Sequence, residues 1–105
     1  DAISNMTAEG SRIIMAFDGR IVGMVVSGSD PCTAGSAVFT VFKNAAATGV
    51  SVTISTSNPQ FRYSNTGTDT FVAGDILDVR VTTDGTLTPN NSLDFASWII
   101  IEWTN

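Results

Sequence analysis

Phe71-Val72-Ala73-Gly74-Asp75-Ile76-Leu77-Asp78-Val79-Arg80-Val81 is the stretch that decides the fold of this chain. A Gly-Asp turn opens into a run in which apolar Ile76, Leu77, Val79 and Val81 are interleaved with Asp78 and Arg80. Successive side chains of a strand point to opposite faces, so the run reads as a β-strand with one face in a core and one outside. Gly74 and Asp75 form the turn, where the Asp75 carboxylate is expected to accept a backbone N–H beside Gly74.

The same grammar repeats on both sides. Asp18-Gly19 stands between the apolar runs Arg12–Phe17 and Ile21–Ser27, which predicts a hairpin. A loop over 27–36 follows, then a strand over Ala37–Lys43 that is apolar on nearly both faces and belongs in the middle of a sandwich. Asn44–Gly49 reads as an alanine-rich loop, and Val50, Val52 and Ile54 alternate with Ser51, Thr53 and Ser55 in a half-buried strand. Pro59 marks a turn, Phe61–Tyr63 a short strand, and Asp84-Gly85 another turn before a polar loop over 86–92. Phe95–Trp103 closes the chain as a long apolar strand. The reading is an all-β, antiparallel sandwich of about eight strands in one domain over 1–105, with residues 1–10 as an irregular N-terminal arm.

Composition narrows the function. Only 14% of the 105 residues are charged, so the exterior is expected to be rich in Ser, Thr, Asn and Gly, as suits an exposed particle surface or close self-association. The net charge is −5, and the five bases include one lysine, Lys43. A basic stripe for phosphate contacts cannot be assembled, which argues against nucleic acid and against anionic membranes. The apolar run Trp98-Ile99-Ile100-Ile101 is far shorter than the roughly 20 residues of a membrane-spanning helix. Position 1 is Asp, so the chain is expected to be processed or part of something longer.

Catalysis lacks its usual parts. There is no histidine, and Cys32 is the single cysteine, which excludes an internal disulfide and reads as a small buried filler. Asp75 and Asp78, three apart on a turn and a strand, do not face the same side as a glycosidase pair must. Asp18, Asp69 and Asp84 could supply oxygen ligands to calcium, but the alternating spacing of a calcium loop is missing, and the preference of Asp for turns accounts for them. No enzyme activity, metal or cofactor is expected. For binding, Arg62 and Tyr63 in the turn-rich segment 58–68 are the candidate ligand contacts, with a packing role at the sandwich edge as the other reading.

The runs Val38-Phe39-Thr40-Val41-Phe42-Lys43-Asn44, Gly49-Val50-Ser51-Val52, Thr70 to Val79 and Ile99-Ile100-Ile101-Glu102-Trp103 together resemble the trimeric jelly-roll domains shaped like tumour necrosis factor and the complement globular head. Within that group the chain is most similar to bacteriophage head-fibre, decoration and tail-fibre tip domains, over roughly Ser11 to Thr104. The resemblance implies a jelly roll that packs as a homotrimer around an axis. Trp98, Ile99, Ile100, Ile101 and Trp103, apolar on both faces of one strand, are then the candidate subunit contacts, against the reading of a central strand covered by loops. It further implies a place on the surface of an extracellular virion, with capsid protein, a host receptor or a glycan as partner. The expected use is a trimeric decoration or head-fibre module. The alternatives are a receptor-binding tail-fibre tip and a secreted adhesive or cytokine-like domain.

Overall fold

The computed structural model describes residues 12–89 and 93–104, together with the backbone of Ala2–Thr7. Among the described residues there are nine strands and no helix: β1 (Ala2–Thr7), β2 (Ile13–Ile14), β3 (Gly19–Gly28), β4 (Ser36–Lys43), β5 (Ala46–Ser55), β6 (Phe61–Ser64), β7 (Thr70–Phe71), β8 (Ile76–Thr83) and β9 (Phe95–Trp103). They form two antiparallel sheets. The first runs β1-β9-β3-β6 with β7 also paired to β3, and the second runs β2-β8-β4-β5. Among the described residues no helix is long and apolar enough to cross a membrane.

The pairing is nested. β4 pairs with β5, β3 with β6 and β7, β2 with β8 and β1 with β9, as in one long hairpin folded back at a single turn and then rolled into two sheets. That central turn is Asn44-Ala45, whose φ angles of 50° and 68° are the left-handed pair that a two-residue hairpin turn demands. Lys43 and Ala46 pair directly across it. The alanine-rich loop expected over Asn44–Gly49 is therefore a two-residue turn, and β5 starts at Ala46. Asn44 tolerates the left-handed region better than most residues, and its side chain is tied on both ends: Nδ2 donates to Asp75 Oδ1 at 2.9 Å, and Oδ1 accepts from the Ile76 N–H at 3.0 Å.

The core lies between the sheets. Ile21, Met24 and Val26 of β3 and Ile99 and Ile101 of β9 meet Ala37, Phe39 and Val41 of β4, Val50, Val52 and Ile54 of β5 and Leu77 of β8. Cys32 packs against the same cluster, as a buried filler should. Phe39 and Phe95 meet edge-on across the gap at 4.9 Å between centroids, a favoured aromatic geometry.

Two further expectations are corrected. Asp18-Gly19 does not join a hairpin, because β2 pairs with β8 and β3 lies in the other sheet. The turn is a crossover between sheets. Met15 drives it, buried in the core, and the Asp18 carboxylate is satisfied by the Ala73 N–H at 2.9 Å rather than by its own turn. The irregular arm expected over residues 1–10 contains a strand over Ala2–Thr7, paired with β9. The two-residue periodicity is weak there because the strand sits at a sheet edge.

The strand that opened the sequence reading follows its pattern in part. Leu77 is fully buried and Val79 packs on the core, whereas Ile76 and Val81 are exposed. The Gly74 turn has φ 95°, and the Asp75 carboxylate accepts the Val72 N–H at 2.9 Å. At the other Asp-Gly turn, Gly85 has φ 84° and Asp84 Oδ1 accepts both the N–H and the hydroxyl of Thr86.

Candidate functional surfaces

Each sheet has an outer face, and register states what stands on it. On the first sheet, Trp98 of β9, Val25 of β3 and Tyr63 of β6 form one row, and Ala96, Ser27 and Phe61 form the next. Ile100 stands opposite Gly23, and Arg20 opposite Glu102. Tyr63 and Phe61 are 68% and 64% exposed, and Trp98, Ile100 and Val25 are half-buried. The single charge pair in these rows is neutral: Arg20 Nη2 lies 3.3 Å from Glu102 Oε1.

On the second sheet the rows read Thr82, Val38, Thr53, then Arg80, Thr40, Ser51, then Asp78, Phe42, Ala47. Hydroxyls dominate. Phe42 is capped by the Arg80 guanidinium, 4.4 Å above its ring, and Arg80 is held in turn by Asp78 at 2.9 Å.

The five candidate contact residues of β9 therefore separate. Ile99 and Ile101 are 0% exposed and belong to the core of one protomer. Trp98 and Ile100 point to the outer face. Trp103 sits at the strand end, edge-on to Phe17 at 5.6 Å and to Phe71 at 6.0 Å. The sequence points to an apolar surplus on β9 but not to Val25 and Phe61, which alternation within β3 and β6 would have put beside it.

Arg62 and Tyr63 also divide. Arg62 alternates with Tyr63 and reaches across the mouth between the sheets, where Nη1 donates to the Thr53 carbonyl at 3.3 Å. Between the edge strands β5 and β6 lies a cleft of about 330 Å3, lined by Ser51, Val52 and Thr53 on one side and residues 62–66 on the other. Close backbone contact shapes its floor. The Gly67 N–H donates to the Val22 carbonyl at 2.6 Å, and any side chain at Gly23 would collide with the Ser64 carbonyl. Val22 is the extra residue of a bulge in β3, between Ile21 and Gly23, which turns the strand toward this cleft.

The acids are spent on structure. Asp75 is held below its ordinary carboxylate value by the Val72 N–H and then by Asn44, and Asp84 by the Thr86 N–H and then its hydroxyl. Asp69 accepts the Gly49 N–H at 3.0 Å. Asp18, Asp69 and Asp84 thus each serve a separate backbone site, and among the described residues no group of three or more metal-ligating side chains gathers. Asp75 and Asp78 are likewise engaged apart, one with a turn and one with Arg80.

The fold and these surfaces define an all-β protein of two antiparallel sheets, one with an apolar outer face and one whose outer face mixes hydroxyls with an exposed Ile14–Ile76 pair. Compared with protein-family models, curated proteins and solved structures, the chain matches none.

Proposed function

We propose that this protein is a non-enzymatic structural module that works as a homotrimer, a jelly roll on the surface of a phage particle in a decoration or head-fibre role. The observation that carries the assembly is the apolar outer face of the β1-β9-β3-β6 sheet. Antiparallel sheets ordinarily turn a polar face to water, and contiguous apolar surface marks a place that another molecule covers. Trp98, Ile100, Val25, Tyr63 and Phe61 supply aromatic and branched side chains, with the one charge pair neutralised internally, which is the composition of an interface centre.

The nested pairing of first strand with last, and of each next strand inward, supports the jelly-roll reading. The number three and the virion come from the resemblance of the sequence. A threefold ring joins each copy to the next through unlike patches, so no single residue has to meet itself. Function then consists of rigid attachment, with the second sheet's hydroxyl-rich face turned to water.

Light scattering during size-exclusion chromatography tests the reading. A mass of about three times the 11.0 kDa chain is expected, unchanged by a chelator. Ile100→Glu should reduce that mass to one chain, because it buries a charge in the contact, and Thr40→Glu on the opposite face should leave it alone. A monomeric parent protein, or a trimer indifferent to Ile100→Glu, overturns the assignment.

The cleft between β5 and β6 favours a second use, recognition of a host surface by a fibre tip.

A further inference from the structure

The β5–β6 cleft carries an unusual electrostatic feature for an acidic chain. Among the described residues Arg62 is the one charged residue lining it and forms no ion pair. A guanidinium has five N–H donors, and a single one is used, on the Thr53 carbonyl. That bond spans the two sheets and holds the head of Arg62 in place, with its remaining donors available. Around it stand the hydroxyls of Ser51, Ser64 and Thr66 and the amide of Asn65, none hydrogen-bonded through its side chain to another described residue. Among the described residues no carboxylate lines the cleft, although the chain as a whole carries −5.

Unspent donors fixed around one cation, with neutral hydroxyls and an amide that both donate and accept, match a ligand bearing one anionic group among many hydroxyls. The planar guanidinium fork suits a carboxylate, which it can hold through two parallel hydrogen bonds. A volume near 330 Å3 is at the small end of ligand clefts and accommodates a short saccharide.

We propose that the β5–β6 cleft binds an acidic saccharide, with Arg62 holding the sugar carboxylate and the hydroxyls of Ser51, Ser64 and Thr66 contacting the ring. The proposal goes with the host-recognition use above, but it concerns binding and does not require a particular oligomeric state.

Backbone amide NMR of the 15N-labelled intact chain tests it, by titration with digalacturonate, a hyaluronan disaccharide and sialyllactose. The controls are acetate, lactose and the methyl ester of digalacturonate. Shifts should centre on residues 51–53 and 62–66 for at least one acidic sugar. Arg62→Gln should weaken that binding about tenfold or more, as removal of a charge-assisted contact does, with partial rescue in Arg62→Lys. Absence of shifts with all three acidic sugars, equal binding of the ester, or equal shifts from acetate alone would each overturn the proposal. Light scattering on the same samples separates the outcomes: a trimer without shifts removes the saccharide site and leaves the assembly, and a monomer with shifts does the reverse.

Discussion

The two outer faces of this protein follow identical pairing rules, yet they differ in chemistry. The β2-β8-β4-β5 sheet shows water Thr and Ser over β4 and β5, with Phe42 under Arg80, and keeps one exposed apolar pair, Ile14 with Ile76, at its β2–β8 edge. The β1-β9-β3-β6 sheet shows Trp98, Val25, Tyr63, Ile100 and Phe61, and among the described residues no charged side chain stacks over these rings. Both faces are dispensable to the core, which is filled by the inward residues alone. The proposed assembly rests on this difference, with the first sheet's face against a second subunit and the second sheet's face toward solvent.

Strand β9 offers the sharpest way to test that contrast, since neighbouring isoleucines on it face opposite ways. Ile101→Ala should cost about 2–5 kcal/mol of protomer stability, because it opens a cavity among fully buried side chains. Ile100→Ala should cost the isolated protomer well under half of that and act chiefly on the concentration at which oligomers dissociate. Chemical denaturation at several protein concentrations reads both effects. Equal, concentration-independent losses would show that the outer face belongs to the protomer's own packing.

A smaller effect of opposite sign is expected two residues before Ile99. Ser97 is fully buried on the inward face of β9, and its hydroxyl has no hydrogen-bond partner among the described residues. Burying an unpaired hydroxyl is unfavourable, so Ser97→Ala should raise stability by roughly 1 kcal/mol, seen as a higher melting temperature. A lower one would mean that the hydroxyl is satisfied after all. The inner face of β9 would then be polar at that point, unlike its isoleucine neighbours.

The smallest effect concerns the turns that frame both sheets. Asp75 has its pKa lowered in the folded chain, so its ionised form stabilises the fold fully above its ordinary value of 3.8. That contribution fades as pH falls through the lowered folded value. Asp75→Asn should reduce the melting temperature at neutral pH, and the gap to the parent protein should close in acid. Asp84 follows the same direction through Thr86. A gap that is constant down to strong acid would assign the loss to the geometry of the substituted amide instead of to the missing charge.

Much of this architecture is legible in the chain. The strand Phe95–Trp103 can be read to the residue, and Ala37–Lys43 lies between β8 and β5 in the second sheet, where Phe39 and Val41 face the core and Phe42, on the other side, is covered by Arg80 instead of by a second layer. Asp75 and Asp84 are turn residues for the reason the sequence suggests, short carboxylates accepting nearby N–H groups. Asn44-Ala45 is hidden from such a reading because alanine seldom adopts positive φ, and the tie from Asn44 to Asp75 spans residues 31 apart. Asp18-Gly19 misleads for the same reason: its partner, Ala73, is 55 residues away. Of the candidate site residues, Arg62 can be named from sequence, but its lack of an acid and the cleft around it depend on β5 and β6 meeting at the edges of two sheets.

Alternation and turn chemistry are local properties, and by themselves they determined that this is an all-β chain, where most strands lie, and that β9 holds more apolar surface than a half-solvated strand requires. Which sheet each strand joins, which isoleucine of β9 faces the core and which faces outward, and how Arg62 comes to stand without an acid in a polar cleft were decided only by tertiary structure. The physical reason is that these outcomes rest on contacts between residues far apart in the chain, and a pattern of period two is equally satisfied by either sheet until packing chooses.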